Sequence, residues 1–224
     1  MSERGRLVVF EGTEGVGKTT QLARLAGRLD AAGIPYDRFR EPGDTPLGDR
    51  VRALLLDQTA VAVAPRAEAL LFMAARAQLA ERIRAALADG RAVLLDRFFL
   101  STYAYQIAGR GLPSGPVRAA NRLAVGELVP DLTLLLSCDL EVASARARSR
   151  GDLDRMERED RDFHERVTTA FLAAADPAWQ DAHPEVGPVE RIDADGDVDT
   201  VGARVDAALV ARWPETFRRL SESQ

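Results

Sequence analysis

Gly12-Thr13-Glu14-Gly15-Val16-Gly17-Lys18-Thr19 is the stretch that decides the fold of this chain, and it directly follows the apolar run Leu7–Phe10. It fits the pattern G-x-x-x-x-G-K-[ST], whose glycines let backbone N–H groups curl around phosphate oxygens. In that pattern Lys18 reaches the terminal phosphates and the Thr19 hydroxyl is a ligand for Mg²⁺. The motif therefore predicts a nucleoside triphosphate site that runs from Gly12 to Thr20, and we call residues 12–19 the phosphate loop.

The flanking sequence supports this interpretation over a glycine-rich turn that matches by chance. An apolar strand is expected before the loop, and a helix after it, because Leu22, Leu25 and Leu29 follow at helical spacing. The N-terminal end of such a helix carries partial positive charge, which favours an anion. A strand before and a helix after are the context that this motif requires.

The composition is that of an ordinary globular protein, with 46% hydrophobic and 29% charged residues among 224. The length suits one α/β domain. A formal net charge of −5 argues against a general nucleic-acid or membrane-surface binder. We find no run near the roughly 18 apolar residues of a membrane span, and Met1–Arg6 shows no secretion signature. We therefore expect a cytoplasmic protein that binds neither nucleic acid nor membranes.

The lone cysteine and the two histidines are expected to be structural. Cys138 lies in an apolar run and is interpreted as a buried strand thiol, which fits a reducing compartment. His164 and His183 have no cysteine partners nearby and are interpreted as surface residues rather than metal ligands.

Short apolar strands alternate with helical stretches along the chain, which predicts a mainly parallel sheet with helices on both faces. The predicted strands are Leu7–Phe10, Tyr36–Arg40, Ala92–Asp96, Leu132–Cys138 and, more weakly, Val189–Ile192. The predicted helices are Lys18–Ala31, Pro46–Asp57, Pro65–Asp89, Pro116–Val129, Leu140–Arg150, Arg161–Ala175 and Asp197–Arg212. Residues 176–187 contain two prolines and a glycine and are expected to be a solvated loop.

The first three strands are expected to end at one crevice, because ligands of parallel sheets bind outside the carboxyl ends of the strands. Asp96 closes the third strand, where a carboxylate can hold Mg²⁺ and the neighbouring Arg97 can clamp a phosphate. The alternative is a structural Asp–Arg pair on the surface. The phosphate loop makes the functional interpretation the better one.

Glu14 is an unexpected acid within the phosphate loop, because it would repel phosphates that it faced. We expect its side chain to point away from them, where it could accept a hydrogen bond from a sugar hydroxyl or approach Mg²⁺. The alternative is an exposed loop acid.

Phe72 and Arg76 are four residues apart in a predicted helix and so project from one face. An aromatic ring beside a guanidinium can stack on a base and read an exocyclic oxygen. Taken alone, however, a Phe in an Ala/Leu-rich helix is more often a core residue.

Residues 146–161 are dense in charge of both signs, with Arg146, Arg148, Arg150, Arg155 and Arg158 among them. Such runs are usually solvated faces. Phosphoryl transfer, however, is strongly assisted by an arginine that a closing segment brings in. Positions 13–16 hold no arginine, so this segment is the best source of one.

Together these features resemble the bacterial thymidylate kinases, which phosphorylate dTMP with ATP. The resemblance runs from about Leu7 to Ala175 and depends on a series of motifs in order, which is far more specific than a phosphate loop alone. The motifs are Phe10-Glu11-Gly12 through Thr20, Arg40-Glu41-Pro42-Gly43, Leu54-Leu55-Leu56-Asp57, Phe72-x-x-x-Arg76, Asp96-Arg97, Ser101-Thr102-x-Ala104-Tyr105-Gln106, Gly109-Arg110-Gly111, Pro130-Asp131-Leu132-Thr133 and Arg148-x-Arg150-Gly151-Asp152-Leu153-Asp154-Arg155.

The resemblance implies a single three-layer α/β/α P-loop kinase domain over residues 1–224, with a five-stranded sheet and a lid at about 146–161. It also implies a homodimer that acts on ATP and dTMP with Mg²⁺. Phe72 would stack on thymine and Arg76 would bind its O4, while Arg97 would hold the dTMP phosphate and Glu14 the 3′-hydroxyl. The base and sugar would be lined by Ser101, Thr102, Tyr105 and Gln106, of which Tyr105 disfavours a ribose 2′-hydroxyl.

Further roles follow from the same resemblance. Arg40 and Arg52 would add contacts near the acceptor phosphate. The catalytic groups would be Lys18, Arg97 and a lid arginine, with Arg150 and Arg155 both candidates.

Two stretches depart from the family pattern. The family commonly has Gly-Gly after the proline, whereas here Gly43 is followed by Asp44, a residue that tolerates unusual backbone angles. Phe98-Phe99 is unusually apolar and could pack at a subunit contact or shield the site.

Two rival functions remain open at this point. One is a kinase for another acceptor, such as dUMP or a deoxynucleoside. The other is a nucleotide-dependent switch or DNA-associated ATPase, a function in which Phe72, Arg76 and Glu14 would have no role.

Overall fold

The computed structural model describes residues 4–56, 62–148 and 155–222. A five-stranded sheet lies at its centre, with the strand order β2-β3-β1-β4-β5. Every neighbouring pair is parallel, which confirms the predicted sheet. The strands are β1 (Leu7–Glu11), β2 (Tyr36–Arg40), β3 (Ala92–Asp96), β4 (Leu132–Ser137) and β5 (Val189–Asp193).

Helices cover both faces of this sheet. The longer ones are α1 (Lys18–Ala32), α2 (Pro46–Leu56), α3 (Pro65–Ala88), α5 (Ser114–Val125), α6 (Leu140–Arg148), α7 (Arg161–Ala173) and α9 (Val198–Arg212). Shorter pieces are α4 (Phe99–Thr102), α8 (Pro177–Ala182), α10 (Pro214–Phe217) and α11 (Arg219–Glu222), with a π-helix at Tyr103–Gly109 and a 3₁₀ turn at Pro184–Val186. No helix within the described ranges is long and apolar enough to cross a membrane.

The central strand shows why the fold has three layers. All five residues of β1 are buried. Leu7 and Val9 belong to the core that α3, α5 and α7 share, whereas Val8 and Phe10 belong to the core under α1 and α9. A strand that is apolar on both faces requires cover on both, and this produces the α/β/α sandwich.

The predicted helix bounds hold within a few residues, with one clear error. The helix expected over 116–129 begins at Ser114 and ends at Val125. Gly126 ends it with φ 56°, and its N–H donates to the carbonyl of Arg122 at 2.8 Å. Glycine adopts such a positive φ without strain, and the chain leaves the helix at this residue.

The prediction of a solvated loop over residues 176–187 is wrong. Asp176 accepts a hydrogen bond from the Trp179 N–H at 3.1 Å, and Pro177 sets the first turn, so α8 forms. The Trp179 ring stacks on His183 with centroids 3.9 Å apart, and Tyr103 meets His183 edge-on at 4.8 Å. The prolines and acids that look like a loop in sequence are here helix-start residues.

Three smaller expectations need correction as well. Cys138 follows the last residue of β4 and is only partly buried, so it is not a buried strand thiol. Both His164 and His183 are partly buried against aromatic rings rather than free on the surface. A hydrophobicity pattern does not show where a strand ends to within one residue, nor which histidine packs against an aromatic ring.

Candidate active site

The ends of β2, β3 and β1 meet at a cavity of about 250 Å³, which we call the active-site cavity. Helices α2, α3 and α4 and the π-helix complete its walls. Its lining includes every residue predicted to bind the phosphoryl acceptor or Mg²⁺: Glu14, Thr19, Arg40, Arg52, Phe72, Arg76, Asp96, Arg97, Ser101, Thr102, Tyr105 and Gln106, together with Lys18. Of the predicted ATP-binding residues 12–20, all within the described ranges, only Glu14, Lys18 and Thr19 line it. The structure thus places residues from six separated stretches of the chain around one space.

The phosphate loop is too tightly packed for residues other than glycine at two of its positions. Gly12 has φ 133°, and a Cβ there would lie 2.3 Å from the carbonyl oxygen of Leu136. Gly15 has φ 80°, and its Cβ would lie 1.9 Å from the carbonyl oxygen of Ala143. Both a positive φ and the close backbone therefore exclude a side chain. The loop is held against β4 and α6 and leads into the N-terminus of α1.

The ammonium of Lys18 lies across the mouth of this loop. Its Nζ donates to the carbonyl oxygens of Gly12 at 3.0 Å and Thr13 at 2.7 Å. The side chain is buried, and burial together with the positive charge of Arg97 lowers the pKa of Lys18 to about 8, despite the nearby carboxylates. Lys18 is also the only lysine in the sequence.

This perturbation leads to a testable pH dependence. Only the neutral amine reacts with an acylating reagent, so acetylation of Lys18 by acetic anhydride should reach half its maximal rate at about pH 8 rather than near the ordinary value of 10.5. Peptide mass spectrometry separates this site from the N-terminal amine. ATP should protect the lysine. A half-maximal rate near pH 10.5 would contradict the assignment.

The side chains of Thr19 and Asp96 lie together at the base of the cavity. The Thr19 hydroxyl donates to a carboxylate oxygen of Asp96 at 3.1 Å. In the described part of the chain we find no group of three or more His, Cys, Asp or Glu side chains that could hold a metal. This sparse oxygen set suits Mg²⁺, which keeps several waters and binds through one or two protein groups and substrate phosphates.

The Glu14 side chain points away from the loop and accepts hydrogen bonds from two residues that line the active-site cavity. Its carboxylate accepts from Arg97 Nη2 at 2.6 Å and from the Tyr105 hydroxyl at 2.7 and 2.5 Å. Burial would raise the pKa of Glu14, but Arg97 and Lys18 outweigh it and hold the pKa below its ordinary value. The acid is therefore ionised, partly buried and oriented, rather than an exposed loop acid.

Arg97 is held in an unusual backbone conformation by a residue that the sequence analysis missed. It has φ 68°, which is strained for a residue with a side chain. The fully buried Glu11 accepts hydrogen bonds from the N–H groups of Phe98 at 2.7 Å and Ser101 at 3.0 Å, and from the Ser101 hydroxyl at 2.6 Å. Burial raises the pKa of Glu11, against the lowering by Arg97. Glu11 thereby fixes the turn that presents the Arg97 guanidinium.

Arg76 forms a buried ion pair with Glu41, a second residue that was assigned no role. Its Nε lies 2.8 and 2.9 Å from the two Glu41 carboxylate oxygens, and the side chains are 1% and 2% exposed. The guanidinium also donates to Asn121 at 3.0 Å and to the Thr102 hydroxyl at 3.1 Å. All of its donors are thus oriented by protein groups, while Phe72 beside it is only half-buried and lines the cavity.

Phe98 and Phe99 are core residues below the site, so the expectation of a subunit contact is wrong. They are 2% and 0% exposed, and the Arg76 guanidinium carbon lies 5.2 and 5.3 Å from their ring centroids. Their rings shield the ion pair from water and contribute cation–π attraction.

The segment after Pro42 accommodates its acidic departure from the family pattern. Asp44 adopts φ 55°, and its carboxylate accepts from the Arg40 N–H at 2.6 Å. The side chain of Arg40 remains 48% exposed, and Arg52 donates to the carbonyl of Pro42 at 3.1 Å. Asp44 therefore stabilises the loop instead of facing the cavity, whose lining does not include it in the described residues.

Glu68 is a third carboxylate that sequence reasoning missed. It is fully buried and binds Gln106, Arg110 and Arg155. The sequence did contain a signal that Glu68 faces the site. Glu68, Phe72 and Arg76 are spaced four residues apart and so lie on one face of α3.

Of the two candidate lid arginines, one has a described position and the other does not. Arg155 donates to the carbonyl of Leu55 at 2.7 Å and to Glu68 at 2.7 Å. Arg150 lies outside the described residues, as do Asp57, Asp152 and Asp154. The side chain of Arg148, at the end of α6, is likewise not described.

The parallel sheet, the glycine-rich loop between β1 and α1, and the facing Thr19–Asp96 pair define a P-loop nucleotide kinase of the α/β class. Comparison with known proteins narrows this class. The chain belongs to the thymidylate kinase family, whose model matches residues 10–185.

Individual relatives agree with the family match. The chain is 51% identical over 177 residues to a thymidylate kinase from Pseudomonas fluorescens, covering 78% of this chain and 84% of the relative. It is 46% identical over 206 residues to one from Ectopseudomonas mendocina, covering 92% and 95%. A thymidylate kinase from Deinococcus radiodurans is 45% identical over 210 residues, covering 93% and 98%.

Proposed function

We propose that this protein transfers the γ-phosphoryl group of ATP to dTMP, giving dTDP and ADP in dTTP synthesis. The observation that carries the proposal is the composition of the active-site cavity, which joins a phosphate loop to an aromatic ring and an oriented guanidinium. The relatives named above carry the corresponding name. Phe72 would stack on the base, and Arg76 would donate to its O4.

The chemistry requires positioning and charge neutralisation more than acid–base catalysis. The phosphate of dTMP is already anionic at neutral pH, so no strong general base is needed. Lys18 and Arg97 line the same cavity, from the donor side and the acceptor side. We propose that they hold the two phosphates in line, while Glu14 receives the sugar 3′-hydroxyl and Tyr105 limits the space beside it. Ser101, Thr102 and Gln106 complete the acceptor wall, and Arg40 and Arg52 reach the acceptor phosphate.

We further propose that Mg²⁺ accompanies ATP. Thr19 and Asp96 would hold it, and when bound it would neutralise charge on the β- and γ-phosphates. A lid arginine would add the remaining positive charge. Arg150 and Arg155 both stay candidates, although the bonds of Arg155 to Glu68 and Leu55 favour a structural role for it.

A coupled assay of ADP release with ATP, Mg²⁺ and a panel of acceptors tests the proposal. The panel is dTMP, dUMP, dCMP and thymidine. We expect dTMP to have the highest kcat/KM. Equal use of all monophosphates would reject the specificity. ATP consumption without any acceptor, stimulated by DNA or protein, would instead favour a nucleotide-dependent switch.

We also propose a homodimer, formed through the apolar face of α3 and α5. Leu70 on α3 is 61% exposed and Leu123 on α5 is 90% exposed. An apolar groove lies between these helices, lined by Met73 and Val117 among others. Exposed apolar patches of this kind mark association sites more often than free surface.

The dimer proposal predicts that a single negative charge introduced on α5 will separate the two protomers. Sedimentation velocity should give twice the chain mass of 24.4 kDa for the wild type and the monomer mass for Leu123→Glu. Leu172→Glu on α7, at a residue 44% exposed, is the matched control and should stay dimeric. A monomeric wild type would reject the dimer, and a dimeric Leu123→Glu would reject this face.

We propose the cytoplasm as its location, because ATP and the nucleotide pool are found there and one cysteine permits no disulfide within the chain. The net charge of −5 supports small-molecule partners rather than nucleic acid.

A further inference from the structure

Gln106 is the one amide side chain in the wall of the active-site cavity, among the described residues. An amide presents an oxygen acceptor on one side and an NH₂ donor on the other. The orientation must come from the hydrogen-bond partners. For Gln106 that partner is Glu68, which lies behind the wall.

The Gln106 atom nearest to Glu68 must be the NH₂ group. It lies 2.9 Å from Glu68 Oε1. The same carboxylate receives Arg110 at 3.0 Å and Arg155 at 2.7 Å. Burial would raise the pKa of Glu68, but these hydrogen bonds outweigh it and hold the pKa below its ordinary value. An ionised carboxylate can only accept, so the amide oxygen is turned the other way.

That oxygen remains available to whatever fills the cavity. Within the described ranges, no donor pairs with Gln106 Oε1, and the atom is not among the buried polar atoms without a partner. Gln106 itself is 2% exposed and lines the cavity. The acceptor is therefore held in place, unpaired and open to a ligand.

The guanidinium of Arg76 lies at the same wall but has its N–H groups bonded to Glu41, Asn121, Thr102 and the Phe98 carbonyl. The Gln106 oxygen is therefore the acceptor on which this argument rests. Thymine and uracil present a carbonyl acceptor beside an N–H donor, whereas cytosine presents an amino donor beside a nitrogen acceptor.

We propose that Glu68 is a specificity-determining positioning residue, which fixes the Gln106 amide so that the site accepts thymine or uracil and rejects cytosine. The inference rests on the proposed function. It assigns the choice of base class to Glu68, a residue that touches no substrate. Thymine and uracil carry an N3–H that can donate to the Gln106 oxygen, whereas cytosine would set its N3 acceptor against that oxygen, and an unpaired buried polar group of this kind discriminates strongly.

The test compares kcat/KM for dTMP and dCMP in the wild type and in Glu68→Gln. A glutamine at position 68 can either donate or accept, so Gln106 is free to turn. We expect the dTMP/dCMP ratio to fall about 10- to 100-fold, mainly through KM. Arg110→Gln removes a cation at Glu68 and leaves the Gln106 bond, so its ratio should stay within about twofold of wild type.

The outcomes distinguish failure of the proposed function from failure of the proposed role of Glu68. A wild type that does not use dTMP rejects the proposed function. A wild type that prefers dTMP, together with a folded Glu68→Gln of unchanged ratio, rejects the role of Glu68. An equal fall of the ratio in Arg110→Gln would also reject it, because loss of charge rather than amide orientation would be the cause.

A measurement on the wild type covers the case in which Glu68→Gln does not fold. The side-chain amide signal of Gln106, identified by its loss in Gln106→Met, should show slow hydrogen exchange before dTMP is added, because its NH₂ group donates to Glu68. A freely exchanging amide would overturn the proposal.

Discussion

The variant Lys18→Ala is expected to lower kcat by about 10³-fold or more, the scale of loss when a cation that stabilises a transferring phosphoryl group is removed. Lys18 lies at the mouth of the phosphate loop, and no other lysine exists in the chain to replace it. Arg97, the nearest other cation, is engaged with Glu14 and Ser101. The coupled assay with saturating ATP and dTMP measures the loss.

Folding and binding controls separate catalysis from stability. Burial of the Lys18 amine costs desolvation free energy, so Lys18→Ala should be no less stable than the wild type in urea unfolding. Arg204→Ala on α9 removes one cation that pairs with Asp193 and is not part of the cavity lining, and it should retain full turnover. Wild-type-like turnover of Lys18→Ala would overturn the mechanism.

The variant Arg76→Leu is expected to reduce the free energy of unfolding by about 3–5 kcal/mol, because it leaves the buried Glu41 carboxylate without a partner. Asn121, Thr102 and the carbonyl of Phe98 lose their donor as well. The variant should also raise KM for dTMP. Urea unfolding followed by circular dichroism measures the stability change.

Two further variants test the reason for this loss. The double variant Glu41→Leu/Arg76→Leu removes both charges and should recover most of the stability, though not the KM. Arg161→Leu breaks an ion pair on the surface of α7 and should leave the urea midpoint unchanged. An unchanged midpoint in Arg76→Leu would show that the Glu41 carboxylate is not held by this pair.

Much of the candidate site could be predicted because parallel topology brings strand ends together. Glu41, Asp96 and Gly12 follow or close three strands that turned out to be neighbours. The 99–109 segment was less accessible to prediction. It contains a π-helix, in which the Arg110 N–H donates to the Tyr105 carbonyl at 2.9 Å. Such helices are rare, short and frequent at functional sites, and no periodicity announces them.

The buried carboxylates show where sequence reasoning ends. Glu11, Glu41 and Glu68 are each a single acid in an apolar or motif setting, and nothing near them in sequence names a partner. Glu11 bonds to Ser101, which is 90 residues away, and Glu68 bonds to Arg155, which is 87 residues away. Glu41 bonds to Arg76, which is 35 residues away. Pairing over such separations is decided by packing.

The sequence by itself determined the phosphate loop, the parallel sheet and the strand ends that meet at one crevice. These follow from short-range spacing, because glycine positions, strand runs and helix faces are local properties of the chain. The other cavity residues were expected only from the resemblance to the thymidylate kinases. Only the tertiary structure decided how those residues are held. Glu14 is oriented by Arg97 and Tyr105, Arg76 by Glu41, and Gln106 by Glu68. The orientation and charge of a buried polar group depend on its hydrogen-bond and ion-pair partners. Those partners are distant in sequence, and only folding brings them next to it.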